Sequence, residues 1–180
     1  MQRYIAFLRA INVGGHTVKM ETLRGLFSTL GFSNVETFIA SGNVIFSSKA
    51  EPGKVLENKI ESLLESALGY RVDTFVRTFE ETFAIGVHQP FSEDTLKMAQ
   101  ALNVAFLHEP LSDKAVDTVM CFRTDIDEFH VHGREVYWLC RTRQSDSTFM
   151  NKAFERAIGN PATFRSAKTI ARLAAKYAVS

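Results

Sequence analysis

The alternation of apolar and polar positions at the start of the chain predicts a strand followed by a helix. Residues Tyr4 to Leu8 form a short, continuously apolar run, which is typical of a central strand covered on both faces. Apolar residues then recur at helical spacing from Met20 to Leu30, and Gly31 follows where a left-handed helix end belongs. We therefore expect a buried first strand, a glycine-containing loop and a helix.

A hairpin, a second helix and a fourth strand are predicted next. Two strand-like runs, 34–40 and 44–46, flank the turn-forming residues Ser41-Gly42-Asn43. A helical stripe of apolar residues covers 55–68, and the alternation over 72–76 indicates a strand. The order strand, helix, strand, strand, helix, strand is that of a ferredoxin-like unit.

The same order of elements recurs in the second half of the chain. Predicted strands lie at 103–107, 127–131, 135–140 and 162–165, and predicted helices at 115–120 and 149–158. Between the two sets, Thr78-Phe79-Glu80-Glu81 has the spacing of a capping box and predicts a connecting helix. We expect Ser112 or Asp113 to cap the helix at 115–120, and Ser166 to cap a last helix.

The sequence thus predicts an α+β protein of two tandem ferredoxin-like βαββαβ subdomains, each followed by an extra helix. The predicted boundaries are 1–77 for the first subdomain, 78–101 for a helical connector, 102–165 for the second subdomain and 166–180 for a C-terminal helix. Several predicted strands are apolar on both faces, whereas the helices of one unit cover only one face. The other faces are expected to be covered by each other, by the extra helices or by a second subunit, so a homodimer stays an open alternative.

The predicted topology also assigns loops to the edges of the sheet. The first and third strands are predicted to be parallel neighbours, so we expect the loop after Phe46, with Ser47, Ser48 and Lys49, on the same edge as the loop at 9–19. The hairpin turn at 41–43 is then expected on the opposite edge. A site that combines this turn with the loop at 9–19 would need the second unit or a second chain.

Composition and charge narrow the classes of partner. Lys and Arg number 21 against 20 Asp and Glu, so the net charge of +1 provides no broad field for nucleic acid or anionic membrane. No stretch approaches the roughly 18 apolar residues that span a bilayer, and a cytoplasmic location is expected. Cys121 and Cys140 lie in segments expected to be buried, and their spacing favours reduced, structural thiols.

The loop between the first strand and the first helix is the leading candidate for a ligand site. Arg9, Asn12, Gly14, Gly15 and Lys19 combine positive charge with flexible backbone at the start of a helix, where unpaired N–H groups attract anions. The loop lacks the Gly-Lys-Ser/Thr ending of a Walker loop and the spacing of a dinucleotide-binding turn. A loop shaped by glycine for folding alone is the competing interpretation. We also expect a cleft between the units, or between two chains, to bring Ser41, Asn43 and Arg165 to Arg9 and Asn12.

Two weaker candidates lie in the second half. Arg141 and Arg143 precede hydroxyl-rich residues up to Ser147, which could clamp a carboxylate or serve simply as a helix cap. His130 and His132 are two residues apart on a strand, so they share a face where a metal could bind. Because no third ligand is evident, no metal site is predicted, and no motif identifies a cofactor.

Several phrases of the chain resemble an uncharacterised bacterial family, catalogued as domain of unknown function 1697. They are Phe7-Leu8-Arg9-Ala10-Ile11-Asn12-Val13-Gly14-Gly15, Lys19-Met20 with Leu23-Arg24, Ser41-Gly42-Asn43-Val44 with Phe46, and Arg134-Glu135-Val136-Tyr137. The resemblance runs nearly end to end and implies two ferredoxin-like subdomains, with no established activity. Near the C-terminus Thr163, Arg165 and Thr169 fit the family pattern, whereas Ser166 stands where Asn is usual.

Two functions follow as hypotheses. The first is a protein that binds a small anionic metabolite or nucleotide at the loop after the first strand. The alternative is a transferase or hydrolase for a phosphorylated or acyl substrate, with Arg9 and Lys19 as electrostatic stabilisers and His16 as the only candidate general base in that loop.

Overall fold

A computed structural model describes residues 1–39 and 42–177 of the chain. It forms two compact units, Met1–Phe83 and a second unit that begins at Ala84. The strands are β1 (Gln2–Leu8), β2 (Ser33–Thr37), β3 (Asn43–Ser48), β4 (Thr74–Thr78), β5 (Ala101–Phe106), β6 (Asp127–His132), β7 (Glu135–Cys140) and β8 (Thr163–Ser166). The helices are α1 (Met20–Thr29), α2 (Gly53–Leu68), α3 (Phe79–Val87), α4 (Glu93–Lys97), α5 (Asp113–Met120), α6 (Asn151–Ile158) and α7 (Ala167–Tyr177).

Each unit contains one four-stranded antiparallel sheet. The strand orders are β2-β3-β1-β4 in the first unit and β6-β7-β5-β8 in the second. Each sheet is accompanied by helices in the order β1-α1-β2-β3-α2-β4 and β5-α5-β6-β7-α6-β8. The fold class is therefore the one predicted: α+β, with two tandem ferredoxin-like subdomains.

The predicted direction of β3 is wrong. β1 and β3 are antiparallel neighbours, with Phe7 opposite Asn43 and Gln2 opposite Ser48. Helix α1 returns the chain so that β2 runs parallel to β1, and the hairpin then reverses it, which leaves β3 antiparallel between them. The hairpin end at Asn43 therefore lies beside the end of β1, whereas the loop after Ser48 lies at the opposite edge.

The first unit packs its helices on one face of the sheet. Leu23 and Phe27 of α1, with Leu56, Ile60 and Leu64 of α2, are fully buried in this core. They have the spacing of three or four residues that places side chains on one helical face. The residues of β1 that point the other way are buried as well, as the continuous apolar run predicts.

The second unit has a core rich in aromatic rings. Trp138 of β7 contacts Phe149, with ring centroids 4.5 Å apart, and Phe154 of α6 lies 5.8 Å from Phe149. The tilted and edge-on arrangements are those that aromatic pairs prefer. These phenylalanines serve as core, as their positions in the sequence indicate.

Carboxylates of the helices accept hydrogen bonds from backbone N–H groups in or directly before one edge strand of each sheet, β4 and β8. Oε1 of Glu57 accepts a hydrogen bond from Val76 N–H at 2.9 Å, and Oε1 of Glu61 accepts one from Thr74 N–H at 2.8 Å. In the second unit, Oε1 of Glu155 accepts a bond from Ala162 N–H at 2.8 Å. These contacts satisfy donors that an edge strand would otherwise offer to another chain.

Three of the predicted helix caps are present, at Thr78, Ser112 and Ser166. Thr78 and Glu81 exchange the reciprocal bonds of a capping box, at 2.7 and 3.1 Å. Ser112 accepts from Ala115 N–H at 3.3 Å, and Ser166 accepts from Thr169 N–H at 3.1 Å. Local polar spacing was sufficient to predict these contacts because a cap depends on only four consecutive residues.

The two cysteines differ in exposure. Both are free thiols, but only Cys140 is buried, whereas Cys121 is exposed. The expected burial of Cys121 is therefore wrong. Cys121 follows the last residue of α5, and its thiol donates to the carbonyl of Asp117 at 3.3 Å on the surface of that helix.

Within the described residues, no helix combines the length and apolar character needed to cross a membrane.

We expect Glu57→Ala to lower the free energy of unfolding by about 1–3 kcal/mol, because the buried N–H of Val76 loses its acceptor. Glu65→Ala is the matched control, since Glu65 is an exposed carboxylate of the same helix, and it should change stability by less than about 0.5 kcal/mol. Urea unfolding followed by circular dichroism measures both values. Equal stabilities for the two variants would contradict the role given to Glu57.

Candidate functional site

Three segments of the first unit meet where β1 ends. The backbone N–H of Leu8 donates to the carbonyl of Gly42 at 2.8 Å, and that of Arg9 donates to the carbonyl of Asp73 at 2.9 Å. The loop 9–19 is thus held beside the turn at 42–43 and the segment 70–73. We call these three segments together the β1 corner.

The loop of the β1 corner owes its shape to two glycines. Gly14 and Gly15 have φ angles of +71° and +88°, which only glycine adopts readily, and His16 N–H closes the turn on the carbonyl of Val13 at 3.4 Å. A Cβ atom at either glycine would meet nothing within 4 Å. The glycines are therefore required for backbone conformation, and the space beside them is open.

Side chains fix the loop at both ends. The side-chain oxygen of Asn12 accepts a hydrogen bond from Val18 N–H at 2.7 Å. The hydroxyl of Tyr70 donates to the carbonyl of Ile11 at 3.0 Å, and its ring stacks on His16 with centroids 3.9 Å apart. Partial burial raises the pKa of Tyr70, so its hydroxyl keeps the proton that it donates. The loop is a fixed structure rather than a loose connection.

The turn at Gly42 packs tightly against the loop. A Cβ atom on Gly42 would lie 2.8 Å from Cγ2 of Ile11 and 3.3 Å from the carbonyl oxygen of Leu8. The φ angle of Gly42 is +72°, a second reason why no other residue fits easily. Glycine is needed here for close approach, whereas Gly14 and Gly15 are needed for conformation only.

A buried carboxylate joins two arginines at the β1 corner. Oδ2 of Asp73 lies 3.5 Å from Nη1 of Arg9, and Oδ1 lies 2.9 Å from Nε of Arg71. The side chain of Asp73 is 10% exposed, against 34% for Arg9 and 69% for Arg71. Asp73 thus positions two guanidinium groups that keep surface toward solvent. A carboxylate oxygen of Glu61 also lies within 4.8 Å of one of Asp73, so two carboxylates accompany the two arginines.

Helix α1 adds donors to the same corner. Its N-cap residue is Lys19, which is exposed and makes no side-chain cap to the first turn. The first N–H groups of the helix therefore lack the side-chain acceptor that usually satisfies them. Their partial positive charge and the ammonium of Lys19 favour an anion at this position.

Some of the predicted site residues face solvent at the β1 corner, and others hold the loop or the hairpin together. Arg9, Gly14, Gly15 and Lys19 lie at the β1 corner with surface or backbone toward solvent, as described above. Asn12 is exposed but its oxygen closes the loop, and Asn43 is fully buried with its amide donating to the carbonyl of Phe38 at 3.0 Å. Asn43 therefore holds the hairpin together. Ser41 lies outside the described residues.

Arg165 lies in the second unit, on β8. Its Nη1 donates to Oγ1 of Thr163 at 2.8 Å and to the carbonyl of Phe164 at 2.9 Å. Burial lowers the pKa of Arg165 to about 10, so the side chain is still charged at neutral pH. It is a partly buried cation bound to its own strand.

Sequence reasoning missed Tyr70, Arg71 and Asp73 as parts of the corner. β4 is the antiparallel neighbour of β1, with Leu8 opposite Thr74, so residues just before β4 must lie beside residues just after β1. The correct strand directions would have placed them. No local motif marks these residues, because their role depends on a contact between distant segments.

The arginine-rich loop of the second unit is used internally. Arg141 donates to Oε2 of Glu128 at 2.6 Å, and Ser147 donates to both carboxylate oxygens of Asp127, at 3.0 and 2.8 Å. Asp127 also accepts from the indole N–H of Trp138 at 2.7 Å. These contacts give the loop 141–147 a structural role. The expected helix cap is wrong, because α6 begins after Met150 and has no side-chain cap.

A group of three histidines occurs in the second unit. The rings of His130 and His132 on β6 face the ring of His88, which follows α3, with centroid distances of 5.7 and 4.2 Å from His88. Burial lowers the pKa of His88 and of His130, and the imidazole of His132 lowers both further. Both rings are therefore neutral at pH 7 and above.

The chain matches a family model described as a protein of unknown function (DUF1697) over residues 1–137, and it belongs to this family. A conserved bacterial protein from Streptococcus pneumoniae, SP0830, has a similar structure, with a TM-score of 0.78, 23% sequence identity and 98% of each chain covered. No curated protein matches the chain. The family and the fold expected from the sequence are confirmed, and no activity comes with them.

We expect Gly42→Ala to destabilise the protein by at least about 1 kcal/mol more than Gly14→Ala does. The two glycines have nearly the same φ, +72° and +71°, so both substitutions carry the same conformational cost of about 1–2 kcal/mol. Only at Gly42 does the new methyl group collide with Ile11. Chemical unfolding of both variants measures the difference, and equal losses would show that the turn and the loop are not tightly packed.

Proposed function

We propose that this protein binds a small anionic ligand, a phosphorylated metabolite or a nucleotide, at the β1 corner, and that it does so in the cytoplasm. The observation that carries the proposal is the Arg9–Asp73–Arg71 arrangement. Asp73 holds two guanidinium groups at one place, and both groups keep exposed surface. Planar guanidinium groups match the oxygen geometry of phosphate and carboxylate.

The surrounding backbone supports an anionic ligand. The uncapped first turn of α1 presents N–H groups, and Gly14 and Gly15 leave open space above the loop. Two residues without glycine's freedom also have positive φ at this edge, Ala10 at +54° and Ile39 at +52°. Such strain costs about 1–3 kcal/mol for each residue and is common at ligand sites.

The alternative of a transferase or hydrolase stays a prediction. Its candidate base, His16, is an exposed ring stacked on Tyr70. The substrate of such an enzyme would bind at the β1 corner, so a ligand titration tests both hypotheses.

Removing one cation tests the site. We expect Arg71→Gln to weaken binding of a phosphate-bearing ligand by roughly tenfold or more, because a hydrogen bond to a charged group contributes about 1.5–3 kcal/mol. A panel of inorganic phosphate, pyrophosphate and nucleoside phosphates, titrated by calorimetry at low and high salt, measures the effect. Affinity should fall with salt, since exposed charges are screened.

Lys97→Gln is the matched control, because it removes an exposed cation of the second unit that pairs with Asp94. It should bind as the wild type does. Gly14→Val changes the loop backbone without removing charge and should also lose binding. A wild-type protein that binds nothing in the panel, or equal affinities for Arg71→Gln and Lys97→Gln, would overturn the proposal.

A further inference from the structure

Three histidines of the second unit converge on one point. His130 and His132 alternate with one residue between them on β6, so both side chains leave the same face of the strand. His88 reaches this face from the end of α3, where its backbone N–H donates to the carbonyl of Ala84 at 3.0 Å. One ligand nitrogen from each ring can be chosen so that all three lie within 4.8 Å of one another.

The buried nitrogen of His88 is unexplained by the protein alone. Its Nε2 is buried and has no hydrogen-bond partner among the described residues. A buried polar atom without a partner costs free energy, and such atoms in native proteins call for an explanation such as a bound ion. The nitrogen belongs to a ring that is stacked on His132, with centroids 4.2 Å apart, so the unpartnered atom is part of a member of the cluster.

We propose that His88, His130 and His132 form a site for a divalent transition-metal ion, with Zn²⁺ as the best match. Imidazole nitrogen suits zinc, copper, nickel and iron, whereas calcium and magnesium require oxygen ligands. Three histidines on a tetrahedral zinc ion leave the fourth position to water or another small ligand. The proposal concerns the second unit and does not depend on the β1 corner of the first.

The spacing of the nitrogens is close to that of a metal site, but one ring has to turn. Ligand nitrogens at about 2.0–2.1 Å from a tetrahedral zinc ion are roughly 3.3 Å apart, and the three nitrogens lie within 4.8 Å of one another. The rings of His88 and His132 are stacked with an angle of 21° between their planes, so one of them must rotate for both nitrogens to face one ion. His132 is exposed and can turn without disturbing the core.

A cavity adjoins one member of the cluster, His88. A cavity of about 150 Å³ in the second unit is lined by His88 and Tyr137 together with apolar side chains such as Ile85 and Ile170. Tyr137 donates its hydroxyl proton to the carbonyl of Ile85 at 3.2 Å and lies 5.2 Å from His88 between ring centroids. The cavity is therefore mostly apolar and is bordered by a ring of the proposed site.

Zinc titration of the full chain tests the proposal. Protein freed of metal by a chelator is titrated with Zn²⁺ against a chromophoric indicator, and we expect one ion per chain. His132→Gln should weaken binding by at least about tenfold, since loss even of an outer contact to a metal ligand has an effect of 10–100-fold. Because His132 is exposed, this variant should keep the fold, which circular dichroism checks.

His16→Gln is the matched control, because it removes a histidine of the first unit and should leave zinc affinity unchanged. Substitution with Co²⁺ gives a second readout: a four-coordinate site shows strong visible absorption, which His88→Gln and His130→Gln should abolish. Failure of the wild type to bind Zn²⁺, or the same affinity and stoichiometry in folded His132→Gln, would overturn the proposal. Equal losses in His16→Gln and His132→Gln would do so as well, because the ion would then bind elsewhere.

Discussion

The central strand β1 imposes the constraint on which the first unit depends. It is buried on both faces, so each of its backbone N–H and C=O groups needs a partner within the sheet. β3 and β4 supply these partners from the two sides, both antiparallel to it. That arrangement brings the start of β3 and the start of β4 to the end of β1. The β1 corner is thus a direct consequence of hydrogen bonding in the sheet, and its charged residues are placed by that pairing.

The second unit has the same arrangement, with β5 as its central strand between β7 and β8. The strand register pairs individual residues of one half with those of the other, which the order of elements alone did not. Leu8 donates to the carbonyl of Gly42, and Leu107 donates to the carbonyl of Arg134, which aligns the two halves. Aligned in this way, the halves share residues at five positions: Ala6 and Ala105, Phe7 and Phe106, Leu8 and Leu107, Val44 and Val136, and Arg77 and Arg165. Both arginines donate to the carbonyl of the residue before them, at 2.9 Å. The shared positions are core and strand positions.

The two units differ at the residues that form the candidate ligand sites. Arg9 of the β1 corner corresponds to His108, and Gly42 corresponds to Arg134. The turn glycine of the second unit is Gly133, one position earlier, and it lacks the close packing that Gly42 has against Ile11. The second unit has instead the histidine cluster. Its members His130 and His132 stand on β6 where the first unit has Glu36 of β2 and Phe38 just after β2. One fold therefore carries two unlike candidate sites, which is possible because strand pairing constrains the core and leaves loops and exposed strand faces free to change.

The sequence by itself determined the strands, the main helices, their order and three of the caps, because periodicity and capping act over a few neighbouring residues. It also indicated Arg9, Gly14, Gly15 and Lys19, which share one loop. Only the tertiary structure decided the direction of β3, the contribution of Arg71 and Asp73, the structural role of Asn43 and the third histidine, His88. Each of these depends on contacts between segments far apart in the chain, and strand pairing and helix packing, rather than local pattern, bring such segments together.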